Sequence, residues 1–387
     1  MLKSAGISAR LAAVAVAAAV LVFGALPASA GAKDPIVVGV LMPMTGAVAA
    51  YGQMANLGIK IAHEMRPEVL GRPVRLVVVD NKSDTTEAAN AMSRLVQKEG
   101  AVAVLGPATS SRALAAATIA ESHRIPMVTP TATNPNVTQG KKYVFRVCFI
   151  DPFQGQVAAR YAYHNQKARK AAILTDVGQD YAVGLAAFFK REFQKLGGVV
   201  VSEVKCNTGD QDFSAQLGAI KGTDAQIVYL PNYYTEDALV ARQAKELGLG
   251  LPILSGDGAQ AQELLKIGGP AVEGLTFTAH FHLAGAKGKL AEEFLARYEK
   301  LRQSGEIKDD LTGFHVLGAD AYLVLVDAIG RAGGVKGEQI RSALAATRDF
   351  PGVSGKFSLG EDGNAIKSVV MLTVKNGQFE YVTTIEP

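Results

Sequence analysis

From Pro35 onward the chain alternates short β-branched runs with amphipathic helical stretches, and it does so twice in series. Runs at 36–41, 74–79, 101–105 and 125–128 are apolar without alternation, the pattern of parallel strands covered on both faces. Between them lie three predicted helices. The first, 51–65, has Ala55, Ile59 and Ala62 on one face. The second is opened by Asp84 with Glu87 and runs to Glu99; the third, 112–123, is capped by Ser110 or Ser111. After Asp151 the rhythm restarts, with strands at 171–175, 199–204, 227–230, 252–254 and 275–279 and helices at 153–166, 181–196, 213–220 and 236–247. Long helices at 289–303 and 314–331 and strand-like segments at 356–359 and 369–374 finish the chain. The expected architecture is two α/β units, each a parallel sheet flanked by helices.

The first thirty residues read as a leader. Lys3 and Arg10 give a positive start, an apolar stretch follows, and Ala28-Ser29-Ala30 supplies a small-residue cleavage pattern, so the mature chain starts at Gly31. No later segment reads as long and apolar enough to cross a membrane. The net charge of +4 falls to +2 once Lys3 and Arg10 are gone, and no polybasic block remains. Nucleic acid and anionic membrane are therefore poor candidate partners, and no nucleic-acid partner is expected. Export permits disulfides, but Cys148 and Cys206 are only two and far apart; Cys148, in an apolar run, reads as a buried thiol. With no Trp, any aromatic wall must come from Tyr or Phe.

Enzyme signatures are missing. There is no G-x-S-x-G elbow, HExxH helix or phosphate loop, and His63-Glu64 lacks the second His of a zinc helix. His280 and His282 share a strand face and read as a solvated strand end rather than a metal site. No catalytic residue, metal or cofactor is expected. A hydrolase on this scaffold lacks a nucleophile–base pair. A gene regulator of similar fold needs a DNA-binding helix-turn-helix where this chain has its leader.

The informative residues follow the strands. Pro43-Met44-Thr45-Gly46, Gly106-Pro107-Ala108-Thr109-Ser110-Ser111 and Thr129-Pro130-Thr131-Ala132-Thr133-Asn134-Pro135 are rich in hydroxyls. In open parallel sheets ligands bind at that edge, and hydroxyls with free N–H groups at a helix start suit a carboxylate. In the second unit Asp257 lies in Ser255-Gly256-Asp257-Gly258, and Tyr233 and Tyr234 follow the 227–230 strand. A carboxylate beside phenols suits an ammonium group.

In these loops the chain resembles the leucine/isoleucine/valine-binding protein family, the type I periplasmic amino-acid receptors of ABC transporters. Further marks are Gly178-Gln179-Asp180-Tyr181-Ala182-Val183-Gly184 and Asp212-Phe213-Ser214. The resemblance implies the two-lobed periplasmic-binding-protein type I fold, with three crossovers near Asp151, His280 and Val353. Lobe 1 is then 31–151 plus 281–353, and lobe 2 is 152–280 plus 354–387. It implies a monomer in the periplasm that binds an amino acid between its lobes and delivers it to a membrane permease. Ser110 and Thr133 match positions that hold the ligand carboxylate, and Thr133 also its amino group. Thr131 matches one whose backbone meets the ligand, and Asp257 an acid that pairs with the ammonium. Tyr51, Tyr181, Tyr233 and Phe314 match aromatic positions around it. Ser83 and Thr109 stand where some members carry a disulfide, and Ala108 and Thr131 depart from the usual branched-chain pocket. The same fold also serves ligand sensors and binders of amides or aromatic acids.

Overall fold

The computed structural model describes residues 34–283 and 286–387; the leader read at 1–30 lies outside them. Its elements are β1 (Ile36–Met42), α1 (Ala49–Met65), β2 (Glu68–Val69), β3 (Arg72–Asp80), α2 (Thr85–Gln97), β4 (Ala103–Leu105), α3 (Ser110–His123), β5 (Met127–Thr129) and β6 (Val144–Arg146). Next come α4 (Asp151–Arg160), β7 (Lys170–Asp176), α5 (Asp180–Lys195), β8 (Val199–Cys206), α6 (Ser214–Lys221), β9 (Ile227–Leu230), α7 (Tyr234–Glu246), β10 (Ile253–Ser255), α8 (Gln262–Gly268) and β11 (Thr276–Ala279). The chain finishes with α9 (Lys289–Ser304), α10 (Gly313–Ala332), α11 (Gly337–Ala345), β12 (Phe350–Gly352), β13 (Gly355–Phe357), β14 (Val369–Lys375) and β15 (Gln378–Ile385).

Two sheets form. The first has the order β2-β3-β1-β4-β5-β6 and the second β15-β14-β11-β10-β9-β7-β8. Five neighbouring strands of each are parallel; β2 pairs antiparallel with β3, and β14 and β15 close the second sheet antiparallel. In the first sheet the order turns at β1, with β3 on one side and β4 on the other, so the loops after β1 and β4 flank a crevice at the strands' carboxyl ends. β14 and β15 bring the chain's end back onto β11.

Two expectations about helices change. Gly313–Ala332, 20 residues long, is long and apolar enough to cross a membrane. Sixteen of its residues are buried in the protein, so it is a helix apolar all round because it runs through the core. It packs on α1 at backbone contact: a Cβ on Gly58 would lie 1.8 Å from the His315 carbonyl oxygen, and one on Gly318 2.2 Å from that of Ala55. The second change concerns α3. Its N-cap is Thr109, which makes no side-chain cap bond, and Ser110 and Ser111 lie inside the helix. Their hydroxyls reach sideways, accepting from Asn134 N at 3.2 Å and Asp180 N at 3.0 Å. By contrast, Asp84 caps α2 as expected, accepting from Glu87 N at 2.9 Å.

Candidate functional site

The strand-end loops of the two sheets meet. Tyr51, in the first turns of α1, stacks on Phe314 with ring centroids 4.5 Å apart and meets Tyr233 and Tyr234 edge-on at 5.6 and 5.0 Å. Its hydroxyl donates to the Gly258 carbonyl and accepts from Tyr234 N at 3.3 Å. Tyr181 stacks on Tyr233 at 5.2 Å, and its hydroxyl accepts from Gly258 N at 3.2 Å. The close approach explains one glycine: a Cβ on Gly256 would sit 2.2 Å from Tyr181 Oη. Further along the seam, Arg112 Nη1 donates to Gln179 Oε1 at 2.6 Å, and Asn134 Nδ2 to the Asp180 carbonyl at 2.8 Å.

Tyr51, Ser110, Thr131, Tyr181, Tyr233, Asp257 and Phe314 line one cavity; Thr133, the eighth expected residue, is not among its lining residues. The cavity is about 10 Å³, room for roughly one water, so an amino acid is admitted only if the two sides part. A larger hollow of about 410 Å³ touches His280, Lys367 and Tyr381 but none of the eight.

The polar groups divide by side. From the first sheet come the start of α3, whose first-turn N–H groups carry the positive end of the helix dipole, and the 131–134 loop. Thr131 donates to the Ala108 carbonyl at 2.7 Å. Buried Arg146 stiffens the loop from beneath, donating to the Ala132 and Asn134 carbonyls at 2.7 and 2.9 Å. Among the described residues the Thr109 and Thr133 hydroxyls are buried without a partner in good hydrogen-bond geometry. From the second sheet comes Asp257, 3% exposed, which accepts from Gln154 Nε2 at 2.7 Å and lies 2.9 Å from His280 Nε2. Asp151, at the start of α4, is wholly buried, and among the described residues neither of its carboxylate oxygens has a partner in good hydrogen-bond geometry, the Thr133 hydroxyl being the polar group next to it. Burial pushes its acid up to about 8; the Thr133 hydroxyl and Arg146 oppose the rise, and the charge of Asp257 adds to it. Burial likewise raises the phenols of Tyr51, Tyr181 and Tyr233, so all three are neutral donors.

A family model described as periplasmic binding protein matches residues 35–378. The chain belongs to that family. It is 32% identical over 339 residues to the Leu/Ile/Val-binding protein BraC3 of Rhizobium johnstonii, covering 86% of this chain and 89% of the relative. A crystal structure of a leucine-binding protein from Thermotoga maritima is 48% identical, with a TM-score of 0.88 over 91% of this chain and 99% of that one. A branched-chain amino acid transporter substrate-binding protein from Streptococcus pneumoniae, in complex with isoleucine, is 30% identical, with a TM-score of 0.84 over 91% and 100%.

For this periplasmic binding protein, sequence reasoning missed three residues of the site. His280 was expected at a solvated strand end, yet it is 6% exposed, with its ring 4.0 Å from that of Phe149. The strand end is dry because Phe149 and Phe314 cover it. Asp151 read as a boundary residue, and Gln154 was not singled out within the helix expected at 153–166. The available signal was their spacing of three, which sets two polar side chains on one side of α4, where Gln154 reaches both Asp257 and, at 2.7 Å, Thr278 Oγ1.

Proposed function

We propose that this chain is the substrate-binding component of an ABC importer, and that it takes an amino acid, branched-chain or closely related, into the cleft between two lobes. The lobes are 31–151 plus 281–353 and 152–280 plus 354–387. The carboxylate sits against Ser110, Thr133 and the start of α3, with the backbone of Thr131 beside it; the ammonium faces Asp257. Tyr51, Tyr181, Tyr233 and Phe314 wrap the side chain. A leader ending at Ala30 directs the chain to the periplasm, where the monomer hands its ligand to a membrane permease.

What carries this reading is the opposition of donors and acid across one cavity: Ser110 on one side, Asp257 on the other, with tyrosines between. A zwitterion meets both charges at once, and because the anchors belong to different sheets it draws them together. The relatives that bind leucine, isoleucine or valine support the ligand class.

Titration calorimetry with a panel of amino acids, on protein unfolded and refolded to strip carried ligand, tests it. Asp257→Asn leaves the ammonium without its partner, which typically costs about 2–5 kcal/mol, roughly 30-fold to several thousand-fold in affinity. Ser110→Ala removes one donor among several and costs less, about 1–3 kcal/mol. Undiminished binding by Asp257→Asn would show that the ligand presents no ammonium there, and would point to an amide or aromatic acid.

A further inference from the structure

We propose that Thr109 and Tyr233 make this site selective for an amino acid whose side chain carries a hydroxyl, such as threonine, over one whose side chain is all carbon. The inference rests on the amino-acid reading above. It adds to that reading a residue, Thr109, and a rule for the ligand's side chain.

Six of the residues lining the cavity carry a hydroxyl, and they fall into two groups. Four are committed to the protein. Tyr51 bonds to Gly258 and Tyr234, Tyr181 accepts from Gly258 N, Ser110 accepts from Asn134 N, and Thr131 donates to the Ala108 carbonyl. The other two, Thr109 and Tyr233, have no partner in good hydrogen-bond geometry among the described residues. Neither reaches open solvent, with Thr109 3% exposed and Tyr233 6%.

Both sit at helix starts, one on each side of the cavity. Thr109 follows β4 of the first sheet and is the N-cap of α3. Its extended backbone, with φ −117° and ψ 149°, is the one from which a threonine hydroxyl ordinarily accepts a first-turn N–H, yet it makes no such bond. Tyr233 follows β9 of the second sheet and is the N-cap of α7, also without a side-chain cap bond. Its ring is held by its stack on Tyr181 at 5.2 Å and by the edge contact with Tyr51 at 5.6 Å, so the phenol is not free to swing toward a protein partner.

A buried hydroxyl without a partner has given up water and received nothing in return. The ligand held between these two decides whether that penalty stands. A hydroxyl is both donor and acceptor, so one on the ligand's side chain accepts from one of the pair and donates to the other. A methyl group in the same place leaves both dry. Valine and threonine differ by this exchange alone, so shape does not separate them. An apolar pocket favours the methyl, by roughly 100-fold; a pocket with two uncommitted hydroxyls favours threonine. The sign of the preference is therefore the deciding quantity.

The test is titration calorimetry on the refolded full chain with threonine and with valine. Wild type is expected to bind threonine about 10-fold more tightly than valine, or better. Equal affinity, or tighter binding of valine, overturns the proposal and leaves the amino-acid reading standing; if no amino acid binds, both fall. Thr109→Val keeps the shape and removes the hydroxyl. It is expected to weaken threonine by about 10-fold while valine binds as well as before or better. Without ligand it should melt no lower than wild type, because that hydroxyl bonds to none of the described residues. A merely structural Thr109 would instead lower the melting temperature and preserve the threonine-to-valine ratio, and that result would sink the idea. Tyr233→Phe keeps the ring and applies the same ratio test from the other side of the cavity, should Thr109→Val misfold. A ratio unmoved in both variants overturns the proposal.

Discussion

His280 Nε2 lies 2.9 Å from Asp257 Oδ2, joining the ends of two adjacent parallel strands, β11 and β10, where Asp257 lines the small cavity. Gln154 holds the other oxygen at 2.7 Å. The carboxylate is thus fixed in orientation, and if Asp257 meets the ligand's ammonium as proposed, its mobility is not a cost that binding must overcome.

Removing one of these supports should therefore weaken binding without touching the ligand. In His280→Ala, Asp257 keeps Gln154 alone, and a loss of about 1–3 kcal/mol is expected, roughly 5- to 150-fold in leucine affinity. Titration calorimetry reads it directly. Unchanged affinity would mean that Gln154 alone suffices to hold Asp257.

Tyr51 bridges the two sides with a single hydroxyl, donating to Gly258 O and accepting from Tyr234 N. Tyr51→Phe keeps the ring and its stack on Phe314 but loses both bonds. Leucine should then leave faster, with affinity down by about 1–2 kcal/mol and the on-rate little changed, because such changes act mostly on dissociation. Stopped-flow measurement of the tyrosine signal, with no Trp to obscure it, separates the two rates.

The legible part of this protein was local. The strand over Ile227–Leu230 matches its apolar run to the residue, and α1 and α10 fall within two residues of their expected starts, because burial on a periodic face leaves a periodic trace. The aromatic rings that line the cavity were also named, although Tyr51 and Phe314 are far apart in sequence; the family resemblance linked them, since no periodicity could. What stayed hidden was pairing. Nothing around Ser110 says that its hydroxyl serves Asn134 rather than its own helix, and nothing local marks Asp151 as an acid without a well-placed partner among the described residues. β15 has no fully buried residue, being the outermost strand, so it gave little hydrophobic signal.

Close packing of α1 on α10 makes two glycines irreplaceable. Gly58→Ala would set a Cβ 1.8 Å from the His315 carbonyl, and Gly318→Ala 2.2 Å from that of Ala55. Neither obstacle is a side chain that can turn away, so the helices must separate. Overpacking of this kind costs about 1–3 kcal/mol or more, which outweighs the gain in helix propensity of up to about 1 kcal/mol from replacing glycine by alanine. Each variant should melt several degrees lower than wild type by circular dichroism; an equal or higher midpoint would contradict the packing described.

The last prediction concerns acid. His315, 1% exposed on α10, occupies the third helical position behind the N-cap Thr312, and its Nδ1 accepts from Thr312 N at 3.2 Å. That is the role Glu or Gln plays in a capping box, and it requires a neutral ring with a free lone pair. Burial lowers the imidazole to about 3, whereas in the unfolded chain it titrates near about 6.5. Between these values the unfolded state binds a proton that the folded state refuses, so stability rises with pH over this window. The contribution of a neutral His315 is fully present above about 6.5 and is lost as pH falls toward 3, at a slope of about 1.4 kcal/mol per pH unit. His315→Gln preserves the reach back to Thr312 N and abolishes the titration. In urea unfolding at pH 7.5 and pH 5, the wild type should therefore lose about 2 kcal/mol more than His315→Gln between the two conditions. If both lose the same, the imidazole is protonated in the folded protein, and the cap at the start of α10 must be made by another group.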